Sequence, residues 1–423
     1  MAVLRPFRGL RYSASAGSMQ TLVAPPYDVL SPADRDELYA SNANNVVGLT
    51  LPEQNADDRS KYVKYARSAA RLEQWRREGL LELEPKPAYY RYLQTFTIPG
   101  SDEPLERMSL ISTIKVEPYE KGVVLPHEQT FPKHKEDRLR ILEATRAHLE
   151  CIYGLIEDAD QAFFKLVMAA AGERVADVTT PDGVRHIVEV ITDEAAIGQI
   201  SELVAPKKVW IADGHHRYET AVTFRGMQPA SDALIAEDLM MMAISSISDP
   251  GLVLLPTHRM LKRCPLSQEA MLAKLSEHFT STPMANADIP AALDAHTNAG
   301  ECVFGVALPG GQGYLFTAPR PESSGSDAER RLAGLDVTVL HDLIFGECLG
   351  LTGHDFFDYT RDPQEALDAV EQGSPASFLM NPPSVDDMQV IAQGGEKMPQ
   401  KSTFYYPKIL SGLVLWSLND FEK

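Results

Sequence analysis

Between residues 209 and 221 an apolar run, Val209-Trp210-Ile211-Ala212, breaks abruptly into Asp213-Gly214-His215-His216-Arg217 and resumes as Tyr218-Glu219-Thr220-Ala221. Packing has no use for Asp, two His and Arg side by side at the end of a buried strand. An anion does. If a strand ends at Ala212 and a helix opens near His215, the first N–H groups and the positive dipole end gather where Gly214 lets a ligand approach the backbone. Arg217 adds a fork of donors shaped for phosphate. His215 and His216 on a helix point about 100° apart and cannot ligate one metal together, so the fitting role for Asp213 is to help position Mg²⁺ or a histidine. The plainer alternative is a solvated turn capped by Asp213.

Two further clusters carry chemistry. Pro126-His127-Glu128 places a carboxylate in a short segment between a strand and a helix, where it could take a proton from an attacking hydroxyl. Most loop glutamates are simply solvated. Lys133, Lys135, Asp137 and Arg138 follow, either lining the same cleft or forming one polar helix face. In the stretch from Met398 to Lys408, Lys401, Ser402 and Thr403 offer one cation and two hydroxyls, suited to a carboxylate or phosphate, with an aromatic run behind them. That stretch reads equally well as a polar loop entering a strand. Met240, Met241 and Met242 read as core. His258 and Arg259, after Pro256-Thr257, could enter a cleft but read more simply as structural hydrogen-bonding groups.

The elements that would position these residues alternate irregularly. Tyr62, Tyr65, Ala69, Leu72 and Trp75 recur at helical spacing and predict a long amphipathic helix over 57–81. Residues 89–98 and 108–116 read as paired strands, 136–149 as a charged helix, 151–156 as a buried strand and 194–204 as a helix feeding the strand before Asp213. In the last third, helices over 268–278, 335–348 and 365–371 mix with strands over 302–308, 314–317 and 377–380. Residues 318–331, rich in Pro, Ser, Gly and charge, read as a loop. Hairpins and crossovers together imply α+β, or a mixed-sheet α/β fold.

Composition narrows the function classes. The chain has 423 residues, 44% of them hydrophobic, and a formal net charge of −19, a length that suggests two or three domains. So negative a charge opposes general binding to nucleic acid. Cys151, Cys264, Cys302 and Cys348 are far apart with no metal-ligand spacing, as expected of free thiols in a reducing compartment. No apolar run approaches the roughly 20 residues of a membrane span, and residues 1–10 have no signal-peptide pattern. The expectation is a cytoplasmic protein with no membrane partner.

Across nearly its whole length the chain resembles a bacterial and archaeal family of unknown function whose members are often labelled ParB-like. The resemblance rests on Arg5-Pro6-Phe7-Arg8-Gly9, Ala24-Pro25-Pro26-Tyr27-Asp28-Val29, Pro126-His127-Glu128 with Asp137-Arg138-Leu139, Ala212-Asp213-Gly214-His215-His216-Arg217, Leu255-Pro256-Thr257-His258-Arg259 and Met398-Pro399-Gln400-Lys401-Ser402-Thr403. More distantly, the order of these motifs is similar to that of the free serine kinases of the ParB/sulfiredoxin fold. That likeness implies a ParB/sulfiredoxin-like nucleotide-binding core over 106–260, an N-terminal α/β region over 1–105 and a C-terminal α/β region over 261–423. It implies that Asp213, Gly214, His215, His216 and Arg217 bind nucleotide. Glu128 would be the catalytic base, with His127 and Asp213 beside it in the catalytic set, and Lys401, Ser402 and Thr403 would hold the acceptor. ATP or ADP with Mg²⁺ would be the cofactors. The chain departs from the kinase pattern in two places: 85 positions separate Glu128 from Asp213, and the N-terminal hundred residues have no counterpart.

The function so implied is transfer of a phosphoryl group from a nucleotide to an alcohol group on a small metabolite, free serine being the first candidate. The rival is a ParB-like nucleotide-binding switch that turns over no small molecule. A DNA-binding partition protein is a third possibility, opposed by the net charge and by the lack of a basic recognition helix.

Overall fold

The computed structural model describes residues 1–423 except 100, 131, 297–299, 322, 354 and 423, and gives only the backbone of 132–134. Lys133, one of the candidate cleft residues, therefore lies outside the described side chains. The fold is mixed α/β, in two units. Unit 1 comprises residues 1–126, 130–253 and 407–423; unit 2 comprises 127–129 and 254–406.

Unit 1 is built on a nine-stranded mixed sheet. Its strands, in chain order, are β1 (Leu4–Arg5), β2 (Tyr89–Thr97), β3 (Pro104–Lys115), β4 (Val124–Leu125), β5 (Ile152–Ile156), β6 (Glu173–Thr179), β7 (Arg185–Ile191), β8 (Val209–Asp213) and β9 (Leu239–Ser246). They lie in the order β4-β8-β5-β9-β3-β2-β7-β6, with β1 pairing off β3. β8 runs parallel to β4 and antiparallel to β5, and β9 runs parallel to β5. Every residue of β9 is buried, which is why its sequence Leu239-Met240-Met241-Met242-Ala243-Ile244 is continuously apolar rather than alternating. The methionines are core, as expected.

Helices α1 (Val63–Arg77), α2 (Pro132–Thr145), α3 (Ala162–Ala169), α4 (Glu194–Val204) and α5 (His215–Gly226) belong to this unit. α1 is shorter than its apolar periodicity implies; of the stripe the spacing named it buries Tyr65, Leu72 and Trp75, with Ser68 beside them, while Tyr62 precedes the helix and is exposed. α4 begins where Asp193 caps it by accepting the Ala196 N–H. The paired strands expected near 89–98 and 108–116 are β2 and β3, in antiparallel register from Tyr90 opposite Ile111 to Thr97 opposite Pro104.

Unit 2 carries a six-stranded antiparallel sheet of β10 (His258–Leu261), β11 (Thr280–Ala285), β12 (Glu301–Ala307), β13 (Gln312–Pro319), β14 (Phe357–Thr360) and β15 (Ser377–Met380), ordered β11-β13-β12-β15-β10-β14. A core of Ile289, Leu293, Val303, Leu315, Leu367, Val370 and Leu379 fixes helices against it. The segment 318–331, expected to be a loop, continues as strand to Pro319 and begins α6 (Asp327–Gly334). The overlooked signal is a capping box, in which Ser326 caps the Glu329 N–H and the Glu329 carboxylate accepts the Ser326 N–H. The helix expected over 335–348 divides into Asp336–Val339 and a wider π-helical run, Leu340–Cys348.

The chain divides differently from the three consecutive segments 1–105, 106–260 and 261–423. Strands from the first hundred residues sit in the same sheet as β8 and β9, and residues 407–423 return to that unit from beyond unit 2. Hydrogen bonding across a sheet makes no distinction between early and late strands, so sequence boundaries disappear within it. Among the described residues no helix is long and apolar enough to cross a membrane.

Candidate functional site

The strand, glycine and helix read from 209–221 are all present. β8 ends at Asp213, Gly214 turns with φ +93°, and α5 starts at His215. Gly214 is needed twice over. Its left-handed backbone disfavours any side chain, and a Cβ there would lie 3.0–3.1 Å from the Arg217 guanidinium. In any α-helix the first N–H groups point out of the end with no carbonyl of the helix to bond them. Here they belong to His215, His216 and Arg217 at the start of a twelve-residue helix.

The side chains do something the sequence did not announce. Asp213 is held between two cations: its Oδ2 accepts from Arg217 Nη2 at 2.8 Å, and its Oδ1 accepts from Lys408 Nζ. Burial pushes the Asp213 carboxyl up, but the charges of Lys408 and Arg217 outweigh it and hold the group at about 2. Both carboxylate oxygens are taken, so the role first expected for Asp213, positioning Mg²⁺ or a histidine, becomes that of orienting cations. Arg217 is only 9% exposed and donates through Nη1 to the Cys151 carbonyl at 2.5 Å. Its Nε has no partner among the described residues. Burial pulls the Arg217 charge down, yet Glu150, Asp213 and Asp28 more than restore it.

Behind Arg217 the Ala24-Pro25-Pro26-Tyr27-Asp28 turn acquires a purpose. The Tyr27 ring lies 3.9 Å from the Arg138 guanidinium and 5.9 Å from that of Arg217. The Tyr27 N–H donates to Glu150, which Arg138 approaches at 3.8 Å. Arg138 also donates to the Thr50 carbonyl and pairs with Asp137. Of the polar groups that follow Glu128, Asp137 and Arg138 thus serve a buried network, and Lys135 pairs with Glu219 of α5 at 2.9 Å.

In unit 2 the second and third clusters meet. Glu128 pairs as an isolated parallel bridge with Met398, and the Met398 N–H donates to the His127 carbonyl at 2.7 Å. The Lys401 N–H donates to Glu128 Oε1 at 2.9 Å. His127 is fully buried and bonds Thr403 Oγ1 through Nε2 at 2.8 Å. Ser402 donates to the Pro399 carbonyl at 2.6 Å. The two hydroxyls are therefore committed to His127 and to the Pro399 carbonyl. Lys401 itself is one of three non-glycine residues described with positive φ, at +59°.

Sequence reasoning passed over Lys408 and set Arg259 aside. The signal for Lys408 was slight, a lysine after Pro407 in a stretch already noticed for Lys401. Among the described residues no group of three or more His, Cys, Asp or Glu side chains is placed to hold a metal ion.

The chain belongs to the family described as a protein of unknown function, DUF1015, whose profile matches residues 4–338. The Pro-His-Glu and Asp-Gly-His-His-Arg motifs fall inside that match, and Lys401 to Thr403 and Lys408 lie beyond it. No curated protein matches the sequence. Similar solved structures include a free serine kinase mutant in complex with ADP, at 12% identity and TM-score 0.37, covering 73% of this chain and 92% of that one. A conserved hypothetical protein from Pyrococcus furiosus matches at 14% identity and TM-score 0.37, over 74% and 97% of the two chains. SbnI from Staphylococcus aureus, truncated at its C-terminus, matches at 11% identity and TM-score 0.35, over 71% and 85%. Likenesses this remote speak to neither substrate nor mechanism.

Proposed function

We propose that this protein is a nucleotide-dependent phosphotransferase whose acceptor is an alcohol group on a small metabolite, free serine being the first candidate. The observation that carries the reading is the Asp213 carboxylate, largely enclosed and spent on two cations at the N-terminus of α5. A solvated turn would leave these side chains in water. Here Asp213 fixes the geometry of two cations, with Glu150 and Asp28 also facing Arg217, and the helix end adds free N–H donors beside them. Such a loop is ordered in advance for a polyanion, which lowers the ordering needed on binding.

The phosphates of ATP or ADP are assigned to the loop Asp213-Gly214-His215-His216-Arg217, with Lys408 as an added cation. Mg²⁺ supplies charge neutralisation on the phosphates when bound, and it would be held chiefly by their oxygens, since Asp213 is committed elsewhere. Glu128 is assigned the base. It takes the acceptor's hydroxyl proton as that oxygen bonds to the terminal phosphorus, and the bond from phosphorus to the leaving nucleotide oxygen breaks. Lys401 is assigned the acceptor, on a loop shaped by His127, Ser402 and Thr403.

A nucleotide-binding switch of ParB-like kind is the second reading. It is favoured by the bond from the Lys401 N–H to Glu128 and by the burial of His127, both of which suit structural roles. Coupled assays with ATP or ADP and a panel of amino acids and sugars separate the two. The phosphotransferase reading expects turnover that falls about 10²- to 10⁴-fold in Glu128→Gln. Nucleotide binding with no phosphorylated product from any acceptor would leave the switch.

A further inference from the structure

Arg259, in β10, is fully buried, yet no carboxylate lies within ion-pair distance of it among the described residues. Its hydrogen-bond partners are carbonyl oxygens, a thioether and an imidazole. Nη1 donates to the Thr257 carbonyl and to Met380 Sδ at 3.0 Å, and Nη2 donates to His341 Nε2 at 3.3 Å and to the Lys401 carbonyl at 3.2 Å. Nε has no partner. Burial draws the guanidinium down to about 10, and neighbouring Arg361 adds to the effect. If only packing were needed at this place, an apolar side chain of similar volume would be at least as stable.

The contact with Lys401 gives the charge a use. Lys401 is held in the left-handed region, where a side chain is disfavoured, and its peptide is gripped at both ends. Glu128 accepts its N–H and Arg259 donates to its carbonyl. The Lys401 ammonium makes no ion pair or hydrogen bond among the described residues. Two positive charges, one on the loop and one on the strand against it, therefore have no carboxylate partner among the described residues, and the buried one fixes the backbone of the other.

We propose that Arg259 is a positioning and specificity-determining residue: it holds Lys401 in its left-handed conformation and, through the second positive charge, makes the loop prefer anionic acceptors to neutral ones. This rests on the phosphotransferase reading for its kinetic part only.

The test uses the full-length chain with Arg259→Met, which keeps the volume and removes the charge, and Arg259→Lys, which keeps the charge and shortens the reach. Kinetics with serine and with its uncharged-carboxamide analogue are measured beside thermal unfolding, nucleotide affinity and a crystal structure of each variant. For Arg259→Met the expectation is an unchanged or raised Tm, a KM for serine up about tenfold, little change with the carboxamide, and nucleotide affinity as in the parent. Lys401 should leave positive φ in both variants. A lowered Tm with equal loss for both acceptors would reduce Arg259 to a structural residue and overturn the proposal. If the parent chain turns over no acceptor at all, the phosphotransferase reading fails on its own. The variant structures then decide, and a Lys401 that stays near +59° sinks the positioning role as well. Should Arg259→Met not fold, the same comparisons are made with Arg259→Gln, which also removes the charge but keeps hydrogen-bonding groups.

Discussion

The two loops that carry the candidate chemistry handle charge in opposite ways. In unit 1 a carboxylate, Asp213, is consumed in holding Arg217 and Lys408, so its cations are fixed and partly neutralised. In unit 2 the carboxylate of Glu128 is bonded to a backbone N–H, and the cations Arg259 and Lys401 have no carboxylate partner among the described residues. The first arrangement is stable without a ligand. The second trades stability for an unanswered positive charge, the pattern expected where an anion completes a site. The difference therefore predicts that disturbing unit 1's loop costs folding energy, whereas disturbing unit 2's loop costs recognition.

The largest effect should come from Asp213→Asn. Asp213, Arg217 and Lys408 are each no more than 15% exposed, so removing the carboxylate takes from both cations the group that orients them. The loss should be about 3–5 kcal/mol in urea unfolding, the range for breaking a buried pair. Nucleotide affinity should fall with it. A variant of unchanged stability would mean that the cations find water instead, and that the loop is not ordered by its carboxylate.

Acid should separate the units next. In unit 1, burial pulls His148 and His186 down to about 4. A histidine depressed in the folded state takes up protons more readily when unfolded, so its stabilising share is lost as pH falls from about 6.5 towards 4. Asp213 is likewise depressed, and its share is lost further down, from about pH 4 towards 2. Unit 2 has His258, pulled down to about 4 by burial and then by the Arg259 charge. It also has Asp336, pushed up to about 6 by burial against the pull of Arg320. A carboxyl raised in the folded state binds its proton there first, so stability is gained as pH falls through 6, opposing the histidine. In unit 1 burial likewise pushes the Asp249 carboxyl up, opposing one of its two depressed histidines; with the other still uncompensated, unit 1 should loosen before unit 2 between pH 6 and 4. Hydrogen exchange resolved by peptide measures this, and earlier opening of 254–406 would contradict it.

How much of this was legible in the sequence follows from the distance along the chain. The strand, glycine and helix around Asp213 are local, and an apolar run followed by Asp-Gly announces them. The His127 and Glu128 pair was legible as polar chemistry but not as architecture. The burial of His127 depends on Thr403, 276 positions away, and the commitment of Glu128 depends on Lys401, 273 positions away. Lys408 meets Asp213 across 195 positions. No periodicity or local propensity encodes such pairings, because they arise only when distant segments share a sheet or a loop. Arg259 is the structural hydrogen-bonding group the sequence suggested, but its electrostatic setting was not legible, for a different reason. An Arg in an apolar strand normally brings a carboxylate with it, and the lack of one among the described residues emerges only from the packed structure.

The smallest effect offers the sharpest contrast, because the loops place different residues in the same left-handed conformation. Gly214 has φ +93° in unit 1 and Lys401 has φ +59° in unit 2. Gly214→Ala should destabilise by about 1–2 kcal/mol, since a side chain is disfavoured there and Arg217 already occupies the space a Cβ would need. Lys401→Gly should do the reverse. It relieves a left-handed penalty of about 1–2 kcal/mol and loses roughly half of that gain to the freer unfolded chain, for a net gain of about 0.5–1 kcal/mol. If Lys401→Gly stabilises the chain while anion recognition survives intact, the lysine is incidental and the two loops differ only in their strain. If it stabilises and recognition is lost, the strained residue is there for the ligand.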